Sequence, residues 1–77
     1  MSFWLFFMSI TSIHRKVGSH IRTLREGKSW LQRELAKKAG LPLRTIGRIE
    51  RGEVDVRLST IAKIAHSLGV SLKDLVQ

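Results

Sequence analysis

Residues 31–52 read LQRELAKKAGLPLRTIGRIERG, and this stretch constrains the chain more than any other. Leu35, Ala36 and Ala39 fall at helical spacing before Gly40, and Ile46 and Ile49 stand at i,i+3 after it. Two short amphipathic helices joined at Ala39-Gly40-Leu41 satisfy both patterns. The second carries a basic outer edge, with Arg44, Arg48 and Arg51 at i, i+4 and i+7. A helix, a short turn and a second helix with outward arginines can set a rod of side chains in a DNA major groove.

The 77 residues permit one domain with a modest core and leave no room for a large enclosed active-site cavity. Fourteen Lys and Arg against six Asp and Glu give a formal net charge of +8. Such an excess calls for an anionic partner, with nucleic acid ahead of an anionic membrane. No nucleophile–base pair, metal-ligand set or glycine-rich phosphate loop is present. An enzyme is therefore the weakest class, and no catalytic residue, cofactor or metal is expected. The chain has no cysteine, hence no disulfide and no thiolate metal site, which fits a cytoplasmic protein. His14, His20 and His66 lack ligand spacing and read as helix-surface residues.

Phe3-Trp4-Leu5-Phe6-Phe7-Met8 is a dense apolar run in an otherwise polar, basic chain. Even extended through Ile10 and Ile13 it is too short for a bilayer, which needs about 20 apolar residues. Arg15 and Lys16 follow it, whereas a secretory signal has its basic residues in front. Three roles remain open: an element packed on the domain or on a second copy, a disordered excess ahead of Met8, or a membrane-surface contact. The adjacent basic residues are the only support for the last. Residues 1–12 are accordingly set apart as an apolar segment, and 13–77 as the helical domain.

Five helices account for most of the chain, an all-α fold. The first is expected from Ile13 or Lys16 to Arg25, with Val17, Ile21 and Leu24 on one face and Gly27 ending it. The second runs from Leu31 to Ala39. Pro42 stands at the start of the third, where its missing N–H costs nothing, and Gly52 ends that helix near Arg51. The fourth spans Leu58 to Leu68 with Leu58, Ile61, Ala62, Ala65 and Leu68 buried. The fifth opens with Ser71 and Asp74 as a capping pair and is packed down by Leu72, Leu75 and Val76. Trp30 is expected as a core plug over the corner between the first two helices.

From about Val17 to Val76 the chain resembles the lambda-repressor-like, Cro/C1-type helix-turn-helix family. The features in register are Gln32, Leu35-Ala36, Ala39-Gly40, Ile46, Ile49-Glu50-Arg51-Gly52, Ile64-Ala65 and Leu68-Gly69-Val70. The resemblance implies a compact five-helix DNA-binding domain. It makes Gln32, in the first turn of the second helix, a phosphate clamp, aided by the orphan N–H groups of the helix end. Relatives usually place Ser or Thr just before this glutamine, where this chain has Leu31, so Ser29 caps one position earlier or the helix begins uncapped. In the third helix the family pattern points Leu43, Arg44, Gly47 and Arg48 at base edges. Each arginine can offer a bidentate fork to guanine O6 and N7 or fall back on phosphate. Leu43 can at best touch a thymine methyl, and Gly47 allows close approach to the duplex.

By the same resemblance, Thr45 and Arg51 lie along the DNA backbone, and Glu53 and Asp55 weaken the electrostatic share of the loop that follows. His20, expected near the start of the first helix, could add a phosphate contact. Relatives pair a first-helix arginine with the glutamate before the final Arg/Asn-Gly, and Arg25 and Glu50 occupy both places. The function implied is a sequence-specific, double-stranded-DNA-binding transcriptional regulator. Most relatives repress by occupying a palindromic or pseudo-palindromic operator as a homodimer. The alternative is a protein-interaction module such as an antitoxin-like partner-binding protein. It would expose apolar residues on the third helix, where this sequence exposes arginines.

Overall fold

The computed structural model describes residues 2–53 and 56–77, with side chains left undescribed over 6–11. Phe6, Phe7, Met8 and Ile10 of the apolar run, and Asp55 of the loop, therefore lie outside the described side chains. The described residues form five helices: α1 (Phe3–Gly27), α2 (Gln32–Ala39), α3 (Leu43–Glu50), α4 (Leu58–Leu68) and α5 (Leu72–Val76). Four of them agree with the sequence reading to within two residues. The first does not, because it starts ten residues earlier than expected at Ile13. Ser2 caps it, its side chain accepting from the Leu5 N–H at 3.3 Å, and nothing between Phe3 and Ile13 breaks a helix.

Turn chemistry sets the corners. Gly40 and Gly69 close α2 and α4 in the left-handed conformation, at φ of 67° and 73°, where a side chain would be strained. Pro42 is the N-cap of α3. Between α1 and α2 a non-glycine residue, Ser29, takes positive φ (61°), and the Trp30 N–H closes back onto the Arg25 carbonyl at 3.2 Å. Ser29 therefore caps nothing. Leu31 is the N-cap of α2, and in place of a side-chain cap its own N–H donates to Glu34 Oε1 at 3.0 Å. At α5 the Asp74 carboxylate accepts from the Ser71 N–H and hydroxyl, both at 3.0 Å, which lowers its pKa below the ordinary aspartate value.

The core is one cluster drawn from every helix, with Ile21, Leu35, Ile46, Ile64 and Leu75 fully buried. Two expectations for α4 fail. Ala62 is exposed, lying one residue round from Ile61, and Ile64 takes the inward position instead. Leu58 has the right spacing but sits at the end of α4, 69% exposed. Val76 stands at the corresponding end of α5, 48% exposed. Trp30 packs against the core while half-buried, and its ring lies under two ammonium groups, Lys28 Nζ at 5.3 Å and Lys38 Nζ at 4.8 Å from the centroid.

Two contacts lock α1 onto α3. At Gly18 the helices touch backbone to backbone: a Cβ there would lie 2.7 Å from the Glu50 carbonyl oxygen and nearer still to that of Ile49. Beside it, Arg25 grips Glu50 through two parallel bonds, Nε to Oε2 at 2.7 Å and Nη2 to Oε1 at 3.0 Å. The two side chains are 9% and 2% exposed. Replacing Gly18 by Ala should destabilise the fold by about 1–3 kcal/mol through overpacking, against the roughly 1 kcal/mol that alanine favours a helix interior. Chemical denaturation measures the balance, and a neutral or stabilising change would show that the helices can part there without cost. Arg25→Ala or Glu50→Ala should each cost about 3–5 kcal/mol by leaving a buried charge without its main partner. The double change should cost clearly less than the sum. Additive losses near zero would reduce the pair to two independent surface charges.

Candidate nucleic-acid interface

Glu50 is the last residue of α3, and its carboxylate organises the surface around it. Besides Arg25, it accepts from Gln32 Nε2 at 3.0 Å through Oε1. Arg25 in turn donates from Nη1 to the Trp30 carbonyl at 2.7 Å, in the turn before α2. One buried carboxylate thus ties α1, the α1–α2 turn, the first residue of α2 and the end of α3. The hydrogen bond to Glu50 is the main cause that raises the Arg25 pKa above its ordinary value, so the guanidinium stays charged at any physiological pH. No buried polar side-chain atom is left without a partner among the described residues.

The Gln32 bond fixes a side chain that sequence alone leaves free to rotate. With the amide nitrogen held inward, Oε1 faces Gly47: a Cβ built on Gly47 would lie 3.7 Å from it and 3.1 Å from Arg51 Nη1. Gly47 is buried beneath these two side chains. The missing side chain makes room for Gln32 and Arg51.

Leu43, Arg44 and Arg48 do lie outward on α3, with Leu43 51% exposed. Arg44 and Arg48 border an open cleft of about 550 Å³ between α3 and the start of α4, together with Pro42, Thr45 and Thr60. Arg57 lines the same cleft, and sequence reasoning passed over it as one loop residue among several. It is the N-cap of α4 and has no side-chain cap bond of its own, so the helix start opens beside three arginines. Its basic charge and its position one residue before an apolar-periodic run were the available signals.

Arg51 is less available than expected. It makes a two-pronged pair with Glu53, Nε to Oε2 at 2.6 Å and Nη2 to Oε1 at 3.3 Å. The pair lowers the pKa of Glu53 and raises that of Arg51. Both side chains are about half exposed, so the pair stabilises little and a phosphate can compete for the arginine. His20 lies well inside α1 and faces α5, where its Nδ1–H donates to the Leu75 carbonyl at 3.0 Å. The ring is thus engaged with the end of α5 and turned from the arginine cleft.

No described helix is long and apolar enough to cross a membrane. The profile of the helix-turn-helix family HTH_3 matches residues 21–75, the whole span from mid-α1 to α5. A hypothetical transcription factor of Neisseria meningitidis is 37% identical over 57 residues, which make up 74% of this chain and 54% of that protein. Antitoxin HipB of Escherichia coli is 33% identical over the same length, 65% of its own chain. The chain thus spans between half and two thirds of these curated relatives. Among solved structures, the Neisseria transcription factor superposes with a TM-score of 0.82 at 32% identity, covering 84% of this chain and 75% of its own. The restriction-modification controller C.AhdI of Aeromonas hydrophila gives 0.78 at 35%, covering 80% of this chain and 94% of its own. A family match over most of the helical domain, on a fold these solved structures share, means that the chain belongs to the HTH_3 helix-turn-helix family.

Proposed function

We propose that the chain is a sequence-specific regulator that binds a palindromic or pseudo-palindromic operator as a homodimer and represses by occupying it. The observation that carries this reading is the pair Arg44 and Arg48. They lie one helical turn apart, both exposed, on a helix whose opposite side is pinned by Glu50 and Gly18. Rigid backing matters because a guanidinium reads guanine O6 and N7 only if its helix is held at fixed depth and angle. In this reading α3 lies in the major groove, Arg44 and Arg48 address guanines, and Leu43 contacts a thymine methyl. Gln32 clamps a phosphate from the start of α2, while Thr45, Arg51 and Arg57 follow the backbone on the flank. The activity is binding, with no chemical step.

A second reading has support from the HipB match, since that protein is an antitoxin. In it the chain would be a protein-interaction module that holds a partner protein in place of an operator. Selection of bound fragments from a random duplex pool separates the two. Enrichment of a symmetric motif supports the operator reading, and no enrichment at all would sink it.

Two predictions follow for the selected site. Arg44→Ala or Arg48→Ala should cost about 1–3 kcal/mol on that site and much less on random duplex, measured by titration at fixed salt. Equal losses on both would leave these residues as phosphate contacts only. Gln32→Ala should weaken binding by a similar factor on every sequence, with the salt dependence nearly unchanged, because a neutral amide releases no counterion. Fold stability should fall by only about 1 kcal/mol, since Arg25 still holds the carboxylate. A loss confined to the preferred sequence would move Gln32 to the base edges.

A further inference from the structure

The described residues of the first turn of α1 stand open. Phe3, Trp4 and Leu5 are 80%, 66% and 53% exposed. At the base of that projection, Ile13, Val17, Leu58, Ile61, Leu72 and Val76 line an apolar groove of about 270 Å³ between α1, α4 and α5. Ile13, Leu58 and Val76 leave about half or more of their surface open along it. The chain thus exposes both an aromatic tip and an apolar groove, and exposed apolar surface of this kind marks an interaction site.

The tip cannot fill its own groove. The helix is continuous, and the ten residues from Phe3 to Ile13 hold the two roughly 15 Å apart along its axis. We infer that the aromatic tip of α1 in one copy seats in the α1/α4/α5 groove of a second copy, and reciprocally, so that the two chains exchange tips about a two-fold axis. This rests on the dimeric reading above and names its interface.

Electrostatics choose the occupant. Two chains of net charge +8 repel over most of their surface, yet no Lys, Arg, Asp or Glu precedes Arg15. Of the residues that line the groove only His14 is not apolar, and no Lys or Arg is among them. Tip and groove therefore meet without setting the Lys and Arg of one chain against those of the other. A membrane surface fits less well, because helices that lie in a bilayer interface carry Lys and Arg on their polar face, and a concave groove offers nothing to a flat surface. The geometry also suits DNA reading. The groove and the arginine cleft lie back to back, sharing Ile49 and Val56 as a common wall, and neither Arg44 nor Arg48 lines the groove. A seated tip therefore braces α3 from behind and leaves its outer edge open.

Trp4→Glu and Leu58→Glu in the full-length chain test this, both at exposed positions in the first turn of a helix, where an acidic residue is well tolerated. Circular dichroism should show each variant folded. In sedimentation equilibrium each should dimerise about tenfold more weakly, or worse, than the parent chain. Mixing the two variants should restore part of the association, because the intact tip of one then meets the intact groove of the other. Unchanged dimer constants, failure of the mixture to recover, or a parent chain that stays monomeric would each overturn the inference. So would binding to phosphatidylglycerol vesicles that Trp4→Glu abolishes while leaving self-association unchanged. Binding to a single half-site duplex should survive in both variants. Its loss from the parent chain itself would count against the DNA-binding reading, independently of the interface.

Discussion

A carboxylate removed from water needs partners on all sides, and Glu50 takes them from every element that precedes it. Arg25 from α1 supplies two bonds and the neutralising charge, and Gln32 supplies a third from α2. The second arm of Arg25 reaches the Trp30 carbonyl and fixes the turn between them. An apolar pair of the same shape could hold the helices together as firmly, but it would not orient an amide. The polar cluster does both: it sets the angle of α3 against α1 and aims the side chain at the start of α2. Gly18 adds the distance, letting α1 approach the end of α3 closely enough for the arginine to reach.

From that junction the division of labour on α3 follows. Ile46 and Ile49 go into the core, Gly47 passes under Gln32 and Arg51, and Leu43, Arg44 and Arg48 are left outward. An eight-residue helix alone in water would be marginal. Packed on one side and pinned at its C-terminal end, it becomes a rigid support for two guanidinium groups. The charge of the chain then acts at two ranges. The net excess draws the protein to any polyanion, and the arginine cleft between α3 and α4 supplies the local geometry. Glu53, clasped by Arg51, offsets part of the positive charge on the flank.

Much of this was legible in the sequence, because the signals were local. Gly40, Gly69 and the Ser71/Asp74 pair punctuate the helices as turn chemistry predicts, and the i,i+3 and i,i+4 rows of α2 and α3 name their buried faces correctly. The partners Arg25 and Glu50 were named through a family resemblance, since 25 residues of separation carry no local signal. The failures lie where a residue's environment depends on what is packed beyond it. Leu58 has the spacing of a core residue but stands at the open groove between α1, α4 and α5, where it stays 69% exposed. Gly47 reads as an open approach and is covered by two long side chains. His20 meets the end of α5, 55 residues away in sequence, and Arg57 lines the cleft beside α3 only because the start of α4 packs there. The apolar run left a packed element, a disordered excess and a membrane contact all open, and α1 runs through it because helix-compatible residues follow the Ser2 cap.

The account depends on α3 presenting its arginines to the major groove, and base chemistry can test that without altering the protein. Replacing each guanine of a selected site in turn by 7-deazaguanine removes the N7 acceptor from the major groove while keeping Watson–Crick pairing. Affinity of the parent chain should fall about tenfold or more at one or two guanines per half-site. At each of those positions, Arg44→Ala or Arg48→Ala should be indifferent to the replacement. Undiminished binding to every 7-deazaguanine duplex would contradict major-groove reading by these arginines.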